Sequence, residues 1–138
     1  PEINLFNEKN NGLSILNLVS KKLSNSIHDI SSGGMLLALT EMCISSKIGA
    51  NIKIPNTNIN KHEYLFGEDQ GRYLVEVSKI NKKEVCKILE NNSIYYDIIG
   101  TTQKDFLNLD QEFKVEIAEL KKLSSYWFNN YFGEKNGS

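Results

Sequence analysis

The stretch HDISSGGMLLALTEM, residues 28–42, changes character twice within a few residues. The segment SIHDI, residues 26–30, has the composition of a strand. The polar turn SSGG follows at 31–34, and the apolar run from residue 35 onward has the length of a helix. Gly33 and Gly34 permit positive φ and the close approach of a ligand or another backbone. The stretch therefore predicts a strand, a tight turn and a helix in immediate succession.

The start of this helix is a candidate anion site. The first N–H groups of a helix have no partners within the helix, and the helix dipole favours negative charge beside them. Ser31 and Ser32 are residues of the type that caps a helix start. The turn is therefore a candidate phosphate cradle, although it matches neither the P-loop nor the GxGxxG pattern. The alternative is a tight strand-to-helix connection with a serine cap.

His28 and Asp29 directly precede the turn. A histidine and an aspartate together can carry out general acid–base chemistry or bind a metal ion. Neighbouring residues on a strand point to opposite faces, which predicts that these two side chains do not share one task. The alternative is that one packs inward with a satisfied hydrogen bond and the other fixes the turn.

A second polar segment lies in LFGEDQGRYLVEVS, residues 65–78. Its second half alternates apolar and polar residues as a strand does. The loop before that strand contains Glu68, Asp69, Gln70 and Arg72, which is more charge than a turn requires. The two acids could hold Mg²⁺ or a ribose hydroxyl, Gln70 could bind an amide, and Arg72 could clamp a phosphate. The alternative is a solvated turn with an internal arginine–carboxylate pair.

Composition places the chain among ordinary soluble globular proteins. It has 138 residues, of which 40% are hydrophobic and 24% charged, and a formal net charge of -1. The chain has no excess of basic residues, which would indicate nucleic-acid binding. It also has no apolar run that approaches the roughly 18 residues needed to span a bilayer. The partners expected for this chain therefore include neither nucleic acid nor a membrane. Cys43 and Cys86 lie beside apolar residues in apparent helices, which predicts buried thiols in a reducing compartment.

Hydrophobic periodicity predicts about four helices interleaved with about six strands. The helices are expected near 11–24, 35–47, 81–92 and 119–132, with one or two further turns within 60–66. The strands are expected near 26–30, 50–54, 72–78 and 94–102, with a hairpin over 104–117. This order indicates an α/β (α+β) fold with a mixed β-sheet flanked by helices. We expect a single domain, residues 1–138, with its core over 11–132.

Apolar stripes predict which helix faces point inward. The first helix carries apolar residues at helical spacing at Leu16, Val19 and Leu23. The last helix carries one stripe at Leu120, Leu123, Trp127 and Tyr131. Asn81 is expected to cap the helix that begins beside it.

The two polar segments, taken in order, closely resemble the C-terminal-type domain of the aminoimidazole ribonucleotide synthetase superfamily. The first motif of that family is His-Asp-x-Ser-x-Gly-Gly-Leu, and its second is Phe-Gly-Glu-Ser-Gln-x-Arg. The matching residues here are His28, Asp29, Ser31, Gly33 and Gly34, then Phe66, Gly67, Glu68, Gln70 and Arg72. Asp69 replaces the usual serine, which puts ligand contact at that position in doubt, and Met35 replaces the usual leucine. The segment IIGTT, residues 98–102, is similar to a late strand of the family, so the resemblance covers about 11–118.

Within that superfamily the chain looks most like the last such domain of the phosphoribosylformylglycinamidine synthases. The resemblance implies a part of an ATP-dependent C–N ligase of purine biosynthesis. Such an enzyme amidates formylglycinamide ribonucleotide with ammonia derived from glutamine, and it uses ATP and Mg²⁺. The implied partners are the N-terminal domains of the same subunit and a glutaminase subunit or domain. The implied location is the cytoplasm.

The resemblance also implies what this chain contributes. The catalytic histidine and the Mg²⁺-binding aspartates of the family lie in N-terminal domains, and their motifs do not occur in this sequence. We therefore expect a piece from the C-terminal end of a larger subunit, inactive alone and without catalytic or metal-binding residues. The candidate substrate- or nucleotide-binding residues are His28, Asp29, Ser31, Gly33, Gly34, Glu68, Asp69, Gln70 and Arg72. In the first half of family members this loop contacts substrate, whereas in the second half it is often degenerate or structural.

Three alternatives remain open at this stage. The parent could be a sister ATP-dependent enzyme, but aminoimidazole ribonucleotide synthetase usually has a His-Ile-Thr-Gly-Gly-Gly turn, and selenophosphate synthetase lacks the Gly-Glu-x-Gln-x-Arg loop. The chain could be a complete small enzyme, which the missing motifs argue against. It could also be a non-catalytic interaction module, which the retained loop over 68–72 disfavours.

Overall fold

The structure is a computed structural model that describes residues 4–56 and 58–132. Helices and strands alternate along the chain, as the periodicity predicts. The helices are α1 (Leu5–Ser20), α2 (Gly34–Ser46), α3 (Lys61–Phe66), α4 (Lys82–Asn91) and α5 (Ile117–Phe132). The strands are β1 (Ser26–Asp29), β2 (Gly49–Ile52), β3 (Tyr73–Glu76), β4 (Gly100–Gln103), β5 (Phe106–Leu109) and β6 (Phe113–Glu116).

These six strands form two sheets where the sequence predicts one. Strands β1 and β3 pair antiparallel as a two-stranded ribbon. The other sheet has the order β4-β2-β5-β6, in which β2 and β5 run parallel and the two outer pairs run antiparallel. The larger sheet is therefore mixed, and the predicted β5–β6 hairpin and the α+β class are confirmed.

The described chain divides into two compact units. One unit contains the residues up to Leu39 together with 58–98, and the other contains Thr40–Asn56 together with the residues from Ile99 onward. Helix α2 contributes residues to both. No helix among the described residues is long and apolar enough to cross a membrane.

The first unit has a small apolar core to which α1, β3 and α4 contribute. Leu18, Leu23 and Val85 are buried together, and partly buried apolar residues of β3 and α4 pack on them. Each fully buried side chain of this size contributes roughly 1.5–3 kcal/mol. Val85 is the buried residue of α4. In the second unit, buried apolar side chains alternate along the sheet at Ala50, Ile52, Leu107 and Leu109.

The N-terminal helix differs from the prediction in two ways. It begins at Leu5, ahead of the expected 11–24 segment, because Asn4 caps it by accepting a hydrogen bond from the Asn7 N–H at 3.0 Å. Two residues of the predicted stripe, Leu16 and Val19, are exposed, and Leu18 is the buried apolar residue of the helix. The third, Leu23, is buried but lies beyond the end of the helix at Ser20. The sequence shows apolar residues at helical spacing. Which side of the helix is buried is decided by its packing against α4 and β3.

Asn81 and the last helix carry smaller corrections. Helix α4 starts after Asn81, but the side-chain amide of Asn81 makes no capping bond and donates to the Leu23 carbonyl at 3.2 Å. On α5, Leu120 is half-buried and Leu123 is exposed. The side chains of Trp127 and Tyr131, the rest of the predicted stripe, lie outside the described residues.

Strand β4 is shorter than the predicted 94–102 segment. Its pairing partner β2 ends at Ile52, and Pro55 follows without the N–H that a longer ladder needs. Before the strand, the hydroxyls of Tyr95 and Tyr96 donate to the carboxylates of Asp97 and Glu90.

At Gly34 the start of α2 lies close to the backbone at the end of α3. The φ of Gly34 is +69°, and a Cβ built on it would lie 2.6 Å from the backbone Cα and carbonyl carbon of Phe66. A side chain at this position would therefore strain the local backbone and push the second motif away from the first.

We expect Gly34→Ala to lower the free energy of unfolding by at least about 2 kcal/mol, because left-handed backbone alone costs an alanine about 1–2 kcal/mol. Urea unfolding of the chain measures this change. Ser32→Ala, on the exposed part of the same turn, is the control and should change the free energy by less than about 0.5 kcal/mol. Equal stabilities of the two variants would show that the close approach is unimportant.

Both cysteines are free thiols, as predicted, with Cys43 buried and Cys86 half-buried. Burial raises the pKa of the Cys43 thiol, so that at pH 8 a smaller fraction of this thiol is present as the reactive thiolate than in an exposed cysteine.

We expect iodoacetamide to alkylate Cys86 at least about tenfold faster than Cys43 in the folded chain. Peptide mass spectrometry over time measures both rates. In the unfolded chain the two alkylation rates should become similar. Similar rates already in the folded chain would show that burial does not protect Cys43.

Candidate functional site

The two sequence motifs meet through one hydrogen bond. The backbone N–H of Gly33 donates to Oε1 of Glu68 at 2.8 Å, across 35 residues of sequence. Gly33 immediately precedes α2, so this carboxylate lies at the positive end of the helix dipole. The N–H group at the start of the helix, where the sequence predicts an anion site, is therefore bonded to a carboxylate of the chain itself.

The predicted serine cap takes a different form. The Gly34 N–H donates to the backbone carbonyl of Ser31 at 3.0 Å, which closes the turn through the main chain. Ser31 and Ser32 are both exposed, and they line a groove beside the helix start. The stabilising cap at this turn is thus the distant Glu68 carboxylate together with a main-chain bond.

Arg72 is held by its own loop. Its guanidinium donates to the carbonyls of Tyr64 at 3.2 Å and Gly67 at 3.4 Å, and it lies 3.5 Å from the carboxylate of Asp69. The same group lies over the Tyr64 ring, 5.5 Å from its centroid. Burial, followed by the Asp97 carboxylate, raises the pKa of the Tyr64 hydroxyl, so the ring beneath the cation stays neutral. The arginine thus joins the end of α3 to the start of β3.

A groove of about 440 Å³ runs along these elements within the first unit. Five of the predicted site residues line it: Asp29, Ser31, Glu68, Gln70 and Arg72. Four others lie outside the lining: His28, Gly33, Gly34 and Asp69. Asp69 instead pairs with Arg72, so the two neighbouring acids of the loop have separate partners.

Glu8 is a groove residue that the sequence did not indicate. It lies on α1, and a Cβ built at Gly71 would be 3.3 Å from its Cα, so helix and loop are in close contact. Asn11, one turn further along α1, donates from its side-chain amide to the Gly71 carbonyl at 2.9 Å. The signal that could have found Glu8 is the Asn4 cap, which extends the helix back over this acid.

His28 and Asp29 are closer than strand alternation predicts. Nδ1 of His28 lies 2.6 Å from the backbone carbonyl of Asp29 and 3.7 Å from its carboxylate. A carbonyl oxygen only accepts, so this contact requires the proton on Nδ1. The ring is therefore engaged with the main chain at the strand end, while the Asp29 carboxylate faces the groove.

The electrostatics of the groove disfavour phosphate. Three carboxylates line it, those of Glu8, Asp29 and Glu68, against the single guanidinium of Arg72, which its own loop already binds. Within residues 4–56 and 58–132, no group of three or more His, Cys, Asp or Glu side chains could hold a metal ion. The described residues of the lining therefore offer no unbonded positive charge to a bare phosphate, and neutral polar groups suit the lining better.

Comparison with known proteins gives the same domain assignment as the two motifs. Residues 2–109 match the family described as AIR synthase related protein, C-terminal domain. Among relatives, the phosphoribosylformylglycinamidine synthase subunit PurL of Pelagibacter ubique is 51% identical over 131 residues, 95% of this chain. The PurL subunit of Rhodopseudomonas palustris strain HaA2 is 35% identical over 99% of this chain. The chain spans only 18% of the length of each of these relatives.

Solved structures agree on the fold. A structure of PurLQS from Thermotoga maritima matches 88% of this chain, and 22% of its own, with a TM-score of 0.76 at 20% identity. T. maritima PurL complexed with FGAR matches 86% of this chain, and 21% of its own, with a TM-score of 0.73 at 19% identity. The paired motifs, the fold and the match over residues 2–109 lead to one assignment: the chain belongs to the AIR synthase related proteins, as a member of their C-terminal domain family.

Proposed function

We propose that this chain is a domain of a phosphoribosylformylglycinamidine synthase subunit. In the proposed reaction, ATP activates the amide oxygen of formylglycinamide ribonucleotide, ammonia attacks the amide carbon, and phosphate leaves with that oxygen. The observation that carries the proposal is the 51% identity to a PurL subunit over 95% of this chain. Structures of T. maritima PurL complexed with FGAR and with ATP support the substrate and the nucleotide.

The proposal extends to the parts that this chain would work with. ATP and Mg²⁺ bind the N-terminal domains of the same subunit, and a glutaminase subunit or domain supplies the ammonia in the cytoplasm. Residues 1–138 form one domain at the C-terminal end of that subunit. The groove has one guanidinium among three carboxylates, and that guanidinium is already bonded to main-chain carbonyls, which supports placing phosphate binding outside this domain.

Within the subunit, we assign a structural role to the loop over residues 67–72. Glu68 satisfies the Gly33 N–H, and Arg72 satisfies two carbonyls of its own segment. A substrate phosphate at the start of α2 would have to displace the Glu68 carboxylate and enter a groove lined by Glu8 and Asp29. Both steps oppose binding, whereas the existing contacts hold α2, α3 and β3 together.

This role predicts that removing Glu68 affects stability more than catalysis. In the 138-residue chain, Glu68→Ala should lower the free energy of unfolding by about 1 kcal/mol, the value of an exposed charge-assisted hydrogen bond. In the full-length subunit, the same substitution should leave kcat and the KM for formylglycinamide ribonucleotide within about twofold of wild type. Glu68→Gln keeps an acceptor oxygen and should recover part of the lost stability.

Glu63→Ala provides the matched control, since Glu63 is an exposed acid of the preceding helix and lies outside the groove lining. It should change neither stability nor kinetics appreciably. A KM increase of tenfold or more in Glu68→Ala, with unchanged stability, would assign the loop to substrate binding. If the wild-type full-length subunit did not amidate formylglycinamide ribonucleotide, the synthase assignment itself would be overturned.

A further inference from the structure

Helix α1 carries most of its large apolar residues on the side away from its own core. One side faces the interior of the first unit, where Ser14 and Leu18 are buried. The other side exposes five large apolar residues: Leu5 at 73%, Phe6 at 73%, Leu13 at 54%, Leu16 at 65% and Val19 at 54%. We call these five residues the α1 stripe. A helix that only covers its own core has polar residues on the side away from that core.

The α1 stripe lies on one side of the helix. At 3.6 residues per turn, its five residues fall within an arc of about 140° along the helix, and Lys9 lies within the same arc between Phe6 and Leu13. The other exposed residues of α1 are Asn7, Lys9 and Ser20, so one charge accompanies five apolar side chains. Isolated exposed apolar residues such as Ile80 are common and need no explanation, whereas a contiguous patch marks an interaction surface.

One border of the stripe is polar but uncharged, whereas Glu8 lies at the other border. Leu13 also lines a groove of about 370 Å³ together with Asn10, Ser14, Asn17 and Asn92. Amide side chains at a rim suit hydrogen bonds to the main chain or neutral side chains of a protein partner. The lone Lys9 gives little attraction for nucleic acid or an anionic membrane, which both require clusters of basic residues.

We propose that the α1 stripe is the surface through which this domain packs against the rest of its own synthase subunit. This inference rests on the proposed function. The relatives align over 95% or more of this chain, which is only 18% of their length, so their equivalent domain is joined to a much longer polypeptide. A covalently linked partner is present at a high effective concentration, which favours it over a second copy of the chain. The opposing surface is apolar where it meets Leu13, Leu16 and Val19.

Carbene footprinting tests this inference by measuring solvent access of individual side chains. The full-length subunit and the 138-residue chain are labelled under the same conditions and digested for mass spectrometry. We expect labelling of Leu13, Leu16 and Val19 to fall at least about fivefold in the subunit relative to the chain. The double substitution Leu16→Glu/Val19→Glu should restore labelling of Leu13 in the subunit. Ile80→Glu replaces an exposed apolar residue outside the stripe and should not.

Folding of the variant is checked on the 138-residue chain. Because Leu16 and Val19 are exposed, the double substitution should leave its melting temperature within about 3 °C of wild type. Equal labelling of the stripe in chain and subunit would overturn the inference. Protection within the chain that increases with its concentration would assign the stripe to a second copy, and protection only on adding phosphatidylglycerol vesicles would assign it to a membrane.

The footprint and the synthase assay separate the two proposals. A subunit that protects the stripe but does not amidate formylglycinamide ribonucleotide would overturn the proposed function and keep the interface. An active subunit with a fully labelled stripe would overturn the interface and keep the function.

Discussion

The hydrogen bond between the Gly33 N–H and the Glu68 carboxylate is the contact on which the site depends. It joins two polar segments that are 35 residues apart and places a negative charge at the start of α2, where the helix dipole favours it. A family motif that has the composition of a ligand cradle is thereby closed by the chain itself. The groove that remains is bordered by acids and suits neutral polar groups better than phosphates.

Two further contacts make this arrangement stiff. Gly34 lets the start of α2 approach the backbone of Phe66, and Arg72 binds the carbonyls of Tyr64 and Gly67. Each loop residue that these contacts order costs roughly 1–2 kcal/mol of backbone entropy, which the same contacts offset during folding. A ligand that displaced Glu68 would lose part of that compensation. The site is therefore better suited to holding neighbouring elements than to exchanging ligands.

The features that were predictable from sequence are mostly local ones. The strand, turn and helix of residues 26–46 and the β5–β6 hairpin depend on short-range periodicity and turn chemistry, and they were predicted correctly. Two long-range features were missed: Glu8 as a groove residue, and the Gly33–Glu68 bond itself. Both depend on tertiary contacts between segments that no sequence period connects.

The orientation of α1 shows the same limit from another direction. Periodicity identified Leu16 and Val19 as members of an apolar stripe, but it could not tell that the other side of the helix meets the core. Leu18 and Ser14 occupy the core side, so the larger stripe is left outward. The wrong core assignment thus follows from a helix that has two contact surfaces, one for its own unit and one that we assign to the rest of the subunit.

An NMR titration of the ¹⁵N-labelled chain tests most directly whether the groove is closed to phosphate ligands. The ligands are Mg²⁺·ATP and formylglycinamide ribonucleotide, each added to millimolar concentration, and the amides observed are those of residues 28–35 and 67–72. If Glu68 stays bonded to the Gly33 N–H, neither set of amides shows a saturable chemical-shift change, and the Gly33 resonance does not move. Saturable shifts at both sets would contradict this expectation, because they would show that a ligand displaces Glu68 from the start of α2.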